Sequence, residues 1–203
     1  MKAVAIVPAA GESSRMGFPK PLLPWGPDGA TLLAYQVAEL QAAGCDEVIV
    51  VTGSGSDAVS REAEAAGAIT AHNEDWRSGP ASSLRRGAAA APIRDAIVLL
   101  KVDQPRSRDI TGRLLGALAS GPEVPHVPAY AGRRGHPPVV PGVLLDDLRA
   151  VDEESRGLHR LMDLHPPVRV EFDDPLVLAD LNDRAAYEYW HRRLFGFVRS
   201  LPP

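Results

Sequence analysis

Apolar positions along the first half of this chain switch between two kinds of run. Residues 3–7 are continuously apolar, as in a strand buried on both faces. Over residues 31–43, Leu32, Leu33, Val37 and Leu40 fall on one side of a helix that ends at Gly44. Residues 47–52 read as a second buried strand, 57–66 as a helix stopped by Gly67, and 68–71 as a short third strand. Residues 82–91 read as a helix before Pro92, 96–102 as the strongest strand, and 109–119 as a further helix. This βαβα order predicts an α/β fold, a doubly wound and mostly parallel sheet whose ligands sit beyond the carboxyl ends of the strands.

The second half is patterned less regularly. Residues 126–130 and 138–140 are short extended segments around Gly132-Arg133-Arg134-Gly135, and the prolines in and beside them suggest edge strands. Residues 143–149 and 158–164 read as helices, 168–172 alternates as a strand, and 184–195 reads as a terminal helix. Residues 198–203 read as a frayed tail. The aromatic group Tyr187, Tyr189, Trp190, Phe195 and Phe197 is expected to be core.

Composition narrows the picture only slightly. A chain of 203 residues without internal repeat or long linker suits one domain, 1–203, patterned regularly over 1–120 and less regularly over 121–195. The net charge of -4 argues against a nucleic-acid surface. The single cysteine, Cys45, cannot form an internal disulfide and reads as a buried core residue. The apolar stretch at the start is too short for a secretory signal, and no run approaches a membrane span, so a cytoplasmic protein with no membrane partner is expected.

Chemistry concentrates at the first turn. The strand pattern stops at Gly11 and is followed by Ser13, Ser14, Arg15 and Lys20. Glycine lets the backbone approach a phosphate, and turn N-H groups form an anion-binding concavity. Two cations can neutralise charge that grows as a phosphate is attacked. The spacing fits neither a P-loop nor the dinucleotide fingerprint Gly-x-Gly-x-x-Gly. Asp103 ends the strongest strand, where a carboxylate suits Mg2+ or, alternatively, serves as a turn or helix-cap residue. Ser14 and Cys45 have no visible His/Asp partner for covalent catalysis, and His159, His165 and His191 lack metal-ligand spacing.

The run Ala9-Ala10-Gly11-Glu12-Ser13-Ser14-Arg15-Met16-Gly17, with Lys20-Pro21-Leu22-Leu23, closely resembles the signature of the Rossmann-like nucleotidyltransferases of the MobA-like NTP transferase family. The branch it resembles most is the molybdenum cofactor cytidylyltransferases, since the guanylyltransferase branch usually reads Ala-Gly-Gly where this chain has Ala9-Ala10-Gly11. The resemblance covers most of the chain, to about Tyr187. It implies a three-layer α/β/α mixed sheet of the nucleotide-diphospho-sugar transferase type. It also implies CTP as the favoured donor, a molybdopterin-type cofactor as acceptor, and Mg2+ as cofactor. A molybdoenzyme or its chaperone would be the downstream partner.

The same resemblance assigns residues. Arg15, Lys20 and Asp103 are implied as catalytic, and Asp103 of Asp103-Gln104-Pro105 together with Asn182 of Asp180-Leu181-Asn182-Asp183 as metal ligands. Asp180 is a lesser metal candidate, and Asn182 or Asp183 would equally cap the last helix. Ala9, Ala10, Gly11, Glu12, Ser13, Ser14, Thr52, Gly53, Gly79, Ser82 and Ser83 are implied to hold the nucleotide, although Ser82 and Ser83 are also good helix N-caps and Pro80 removes a donor there. Gly132-Arg133-Arg134-Gly135-His136-Pro137 resembles the family's acceptor element, with Arg133, Arg134 and His136 implied to hold the acceptor; a basic hairpin with a packed histidine is the alternative. The competing functions are a guanylyltransferase, a nicotinamide-dependent oxidoreductase such as some relatives are described to be, and a chaperone that carries or inserts the cofactor. The missing dinucleotide fingerprint counts against the oxidoreductase.

Overall fold

A computed structural model of the chain describes residues 1–53, 56–154, 156–199 and 201. Its centre is a mostly parallel mixed sheet, eight-stranded among the described residues, in the order β3-β2-β1-β4-β7-β5-β6 with β8 paired to β5. The strands are β1 (Ala3–Pro8), β2 (Glu47–Thr52), β3 (Ile69–His72), β4 (Ala96–Leu99), β5 (His126–Tyr130), β6 (Arg133–Arg134), β7 (Val139–Pro141) and β8 (Val168–Glu171). The parallel pairs β1–β2 and β1–β4 carry the continuous apolar runs, since these three strands are covered on both faces, whereas β3, parallel to β2 at the end of the order, is exposed at Ile69 and His72.

Alternation along the strands sorts side chains into two cores. Ala3, Ala5, Val7, Val48, Val50 and Val98 face α1 (Leu32–Ala42), α2 (Ser56–Ala65) and α4 (Arg108–Ser120). Val4, Ile6, Ile49, Val51, Ile97 and Leu99 face α3 (Pro80–Ala90), α5 (Leu145–Arg149) and α6 (Leu158–Leu164). The result is the expected three-layer α/β/α Rossmann-like arrangement. A third cluster packs Trp25, Tyr187 and Leu181 beneath α7 (Arg184–Phe195). Cys45 is buried in the first core, and burial, reinforced by Asp46, pushes its thiol up to about 12. No described helix is long and apolar enough to cross a membrane.

Four expectations need correction. The strand at 138–140 is not an edge: β7 lies between β4 and β5, because Pro138 stops short of the ladder and Pro141 closes it opposite Ala96. Pro128 is likewise inside the sheet; its carbonyl accepts from Gly135 N at 2.8 Å, and its missing donor faces the gap between the β6 and β7 pairings. The strand of 96–102 ends at Leu99, so Lys101 to Asp103 form a turn, closed by Gln104 N donating to the Lys101 carbonyl at 3.0 Å. Of the aromatic group, Tyr187 is fully buried, yet Tyr189 and Phe197 are exposed.

The described part of the expected frayed tail is tied down. Val198 and Leu201 pack on the aromatic cluster, and Arg199 donates to the Gly26 carbonyl at 3.0 Å. Ser200, Pro202 and Pro203 of that segment lie outside the described residues.

Candidate active site

The carboxyl ends of β1, β2 and β4 share one edge of the sheet, because all three run parallel. Ala9 extends the ladder by one step, donating to the Val51 carbonyl at 2.9 Å, and the chain then lifts off the sheet. Ser13 shapes the loop that follows. It adopts a left-handed φ of 56°, its carbonyl accepts from Met16 N at 2.9 Å, and its Oγ accepts from Lys20 N at 3.0 Å. Met16 anchors the loop in the third core. Lys20 thereby starts the 3-10 turn Lys20–Leu22 with its ammonium aimed at the β4 turn. Lys20 Nζ lies 2.7 Å from Asp103 Oδ2, with side-chain exposures of 11% and 20%.

An open cleft of about 640 Å3 runs along this edge. One wall is Ala9, Ala10, Gly11, Glu12, Ser13, Ser14, Arg15 and Lys20; Gly79 and Ser83 stand on another side, and Asp103 and Asn182 on the floor. Thr52, Gly53 and Ser82 stand behind the wall. Thr52 is buried, with Oγ1 at 3.4 Å from His72 Nδ1. A Cβ on Gly53 would meet Ala10 Cβ at 2.7 Å and Trp76 Cβ at 2.9 Å, so glycine there lets the loop and Trp76 close together. Helix α3 starts at Pro80, earlier than its serines imply, and neither serine is the cap. Instead Glu153 Oε1 accepts from Ala81 N at 2.6 Å. Ser82 and Ser83 are held by Asn73 Nδ2, at 2.9 and 3.1 Å.

The floor is held from below. Gln36, fully buried, donates through Nε2 to the carbonyls of Val102 at 2.5 Å and Lys101 at 3.2 Å. Leu181 N donates to the Asp103 carbonyl at 2.8 Å, which sets Asn182 beside Asp103. Asp183 Oδ1 accepts from Ala186 N at 2.9 Å and is the α7 cap, leaving Asn182 to face the cleft. Arg106 is 1% exposed and donates to four carbonyls: His136 at 2.7 Å, Pro105 at 2.7 Å, Val177 at 2.8 Å and Ala179 at 2.9 Å. Burial pulls this guanidinium down to about 9, opposed by Asp180, Asp174 and Asp103, so it stays charged at neutral pH.

Among the described residues, Asp180 Oδ1 is buried without a hydrogen-bond partner, while Oδ2 receives a long 3.5 Å contact from Gln104 Nε2. Burial and then the charge of Asp103 hold the Asp180 carboxyl above its usual range. Asp103, Asn182 and this orphaned oxygen form an all-oxygen donor set that fits a hard divalent cation. No three His, Cys, Asp or Glu side chains among the described residues could hold a metal alone. A cation here needs phosphate or water oxygens to complete its shell, as Mg2+ commonly does.

Arg133 and Arg134 form β6, exposed and outside the cleft lining. His136 is partly buried just before β7. Burial first, then the charges of Arg106 and Lys101, push its imidazole down to about 4, so it is neutral at neutral pH.

The segment Asn73 to Leu84 resembles the family element that closes over base and ribose, but within it Asn73 and Arg77, like Gln36, Lys101 and Arg106 elsewhere, have no individual role in the sequence. Lys101 lines the floor. Arg77 stacks 4.2 Å over the Trp76 ring and reaches Glu12 Oε1 at 3.4 Å across the cleft mouth. Gln36 and Arg106 act through buried bonds to backbone carbonyls, for which the sequence carries no spacing signal. Asn73 was legible in principle: its Oδ1 accepts from Asp75 N at 3.1 Å, an Asx turn at a strand end.

Residues 5–170 match the family model for the MobA-like NTP transferase domain. A nicotine blue oxidoreductase of Paenarthrobacter nicotinovorans is 36% identical over 143 residues, covering 65% of this chain and 67% of that one. Among solved structures, a nucleotidyl transferase from Methanothermobacter thermautotroptrophicus (Mth528) is 28% identical, with a TM-score of 0.79 over 94% of this chain and 96% of that one. The manganese complex of Rv0371C from Mycobacterium tuberculosis H37Rv is 25% identical, with a TM-score of 0.76 over 95% of this chain and 99% of that one. The chain belongs to the MobA-like NTP transferase family.

Proposed function

We propose that this family member is a divalent-metal-dependent nucleotidyltransferase that moves CMP from CTP to the phosphate of a molybdopterin-type molybdenum cofactor and releases pyrophosphate. The observation that carries the reading is the Lys20–Asp103 pair at 2.7 Å, on the floor of a cleft walled by the glycine turn and with Asn182 beside it. A triphosphate entering the cleft offers Lys20 a competing set of oxygens. Lys20 turning to phosphate would free the Asp103 carboxylate of its partner. Asp103 and Asn182 would hold Mg2+, with Asp180 behind them; when bound, the ion neutralises phosphate charge. Mn2+ is the alternative ion, by analogy with the manganese complex of the mycobacterial relative.

The rest is the work of the chain itself. Gly11 and its neighbours admit the phosphates to the backbone of the loop. Arg15 and Lys20 take up the charge that develops on the α-phosphate and on the departing pyrophosphate. An acceptor phosphate oxygen bonds to the α-phosphorus as the bond to the bridging oxygen breaks, and pyrophosphate leaves with the electron pair. Support for CTP comes from Ala9-Ala10-Gly11 and Asp103-Gln104-Pro105, which resemble the cytidylyl branch.

A nicotinamide-dependent reduction is the second reading, favoured by the nicotine blue oxidoreductase relative. Against it stands a β1 loop that lacks the dinucleotide fingerprint. Pyrophosphate is measured with Mg2+, molybdopterin-type cofactor and each of the four NTPs, with NADPH oxidation followed in parallel. Release with CTP alone is expected, and Asp103→Ala should lose about 100-fold or more. Release with GTP alone moves the protein to the guanylyl branch. Silence with all four NTPs overturns the transferase reading, and NADPH oxidation replaces it with the second.

A further inference from the structure

The cations lining the cleft, among the described residues, are Arg15, Lys20, Arg77 and Lys101. Lys20 is paired with Asp103 and Arg77 with Glu12. Arg15 shares the glycine loop with Lys20. Lys101 comes from a different element, the β4 turn, and is exposed at the floor beside Asp103 and Asn182. None of the ion pairs among the described residues uses its ammonium.

Its backbone is unusually well fixed for an exposed lysine. The Lys101 carbonyl accepts both Gln104 N at 3.0 Å and Gln36 Nε2 at 3.2 Å. Its side of the sheet is fixed by the strand: Ile97 and Leu99 belong to the core under α3, and Lys101 continues that alternation. Helix α3 carries Gly79 and Ser83 on the same cleft. The β7 chain supplies a neighbour. Val98 pairs with Val139, and Leu99 N donates to the Pro138 carbonyl at 3.0 Å. His136 precedes that strand, and the charge of Lys101 is among those that push its imidazole down, after burial and Arg106.

Resting on the transferase reading, we propose that Lys101, on the cleft floor with Asp103 and Asn182, is the subsite cation that holds the acceptor's phosphate monoester. In-line displacement places the attacking group opposite the leaving pyrophosphate, so the cation that holds it must come from a separate element. At neutral pH a phosphate monoester is largely a dianion, as its second pKa near 6 requires. Its oxygen attacks without losing a proton, the α-phosphorus to bridging-oxygen bond breaks, and no general base is needed. Arg133 and Arg134, exposed on β6, are then left to more distant parts of the acceptor.

The test has two arms. In steady-state kinetics, Lys101→Ala should raise the acceptor KM by about 10-fold or more while the CTP KM stays within about twofold; Lys101→Arg should recover most of the loss. An equal rise in both KM values, or a rise only in Arg133→Ala and Arg134→Ala, overturns the assignment. In the second arm, lysine acetylation is read by mass spectrometry with inorganic phosphate as the probe. Phosphate should slow labelling of Lys101 and leave Lys2 unchanged, and CTP alone should leave Lys101 unchanged. Protection by phosphate without turnover with any nucleotide upholds the anion subsite while the transferase reading falls. Absence of protection overturns the subsite itself, whatever the turnover.

Discussion

The two halves of this protein are held together by different physics. In the first, β1 to β4 alternate with α1 to α3, strands β1, β2 and β4 are buried on both faces, and fully buried aliphatic side chains such as Val4, Ile6, Ile49 and Ile97 make the contacts. In the second, β6 and β7 have only two and three residues, prolines interrupt the ladders, and β5 must receive β6, β7 and β8. There the chain is fastened by polar groups bonding backbone. Arg106 ties four carbonyls, Asp174 Oδ1 accepts from Leu176 N at 2.8 Å, and His136 N donates to the Val177 carbonyl at 2.9 Å. The comparison teaches that a regular parallel half leaves a cleft at its carboxyl edge almost as a by-product of topology. The facing half is free of that periodicity, and its shape rests on a few polar anchors.

The sharpest way to break the second half is Arg106→Met. The substitution leaves buried carbonyls of Pro105, His136, Val177 and Ala179 short of a donor. A loss of about 3–5 kcal/mol is expected, as for other disrupted buried polar networks. Urea unfolding reads the loss. Hydrogen exchange locates it: amides around residues 134–138 and 176–181 should lose protection while β1 to β3 keep theirs. Uniform loss across the sheet would mean that the halves are not separately held.

His136 offers a milder test through pH. Its imidazole is held near 4, against an ordinary value near 6.5, by burial and then by Arg106 and Lys101, with Asp103 opposing and His159 adding a little. Between those pH values the unfolded chain binds a proton that the folded chain refuses, so stability falls as pH falls through the window. The effect amounts to up to about 3 kcal/mol by pH 4 and is absent above about pH 7. Unfolding free energies at pH 7, 5 and 4 measure it, and His136→Gln should flatten this part of the profile. An unchanged slope in the variant would place the acid sensitivity elsewhere.

The same division explains what could be read from the sequence. Strands β1 and β2 and helix α1 were legible because period and breakers coincide, as at Leu40 and Gly44. The β1 loop was legible through its residue types, and the structure brings Lys20 to Asp103 across 83 positions of sequence. Arg106 follows Pro105 with no pattern around it, and Lys101 falls inside the apolar run of 96–102. Nothing local distinguishes an arginine three of whose four carbonyl partners lie 30 to 73 residues away. The central place of β7 was hidden for a related reason: proline is an edge signal only when its missing donor would have fallen inside a ladder.

The smallest effect probes the first half, where packing replaces polar anchoring. Gly87 sits in the interior of α3, and in an exposed helix Gly→Ala gains up to about 1 kcal/mol. Here an added Cβ would meet Ile6 Cγ2 at 2.3 Å and Val51 Cγ2 at 3.0 Å, and both residues are fully buried in the sheet. Gly87→Ala should therefore cost about 1–3 kcal/mol by overpacking. Gly116 is the control, since it lies exposed in α4 and an added Cβ there meets nothing within 4 Å. Gly116→Ala should keep the ordinary sign and raise the urea midpoint slightly. Opposite shifts in the two midpoints would place the resistance in the close approach of α3 to β1 and β2. Two gains would mean that the helix can lift off the sheet, and that the regular half is less tightly specified than its apolar pattern implies.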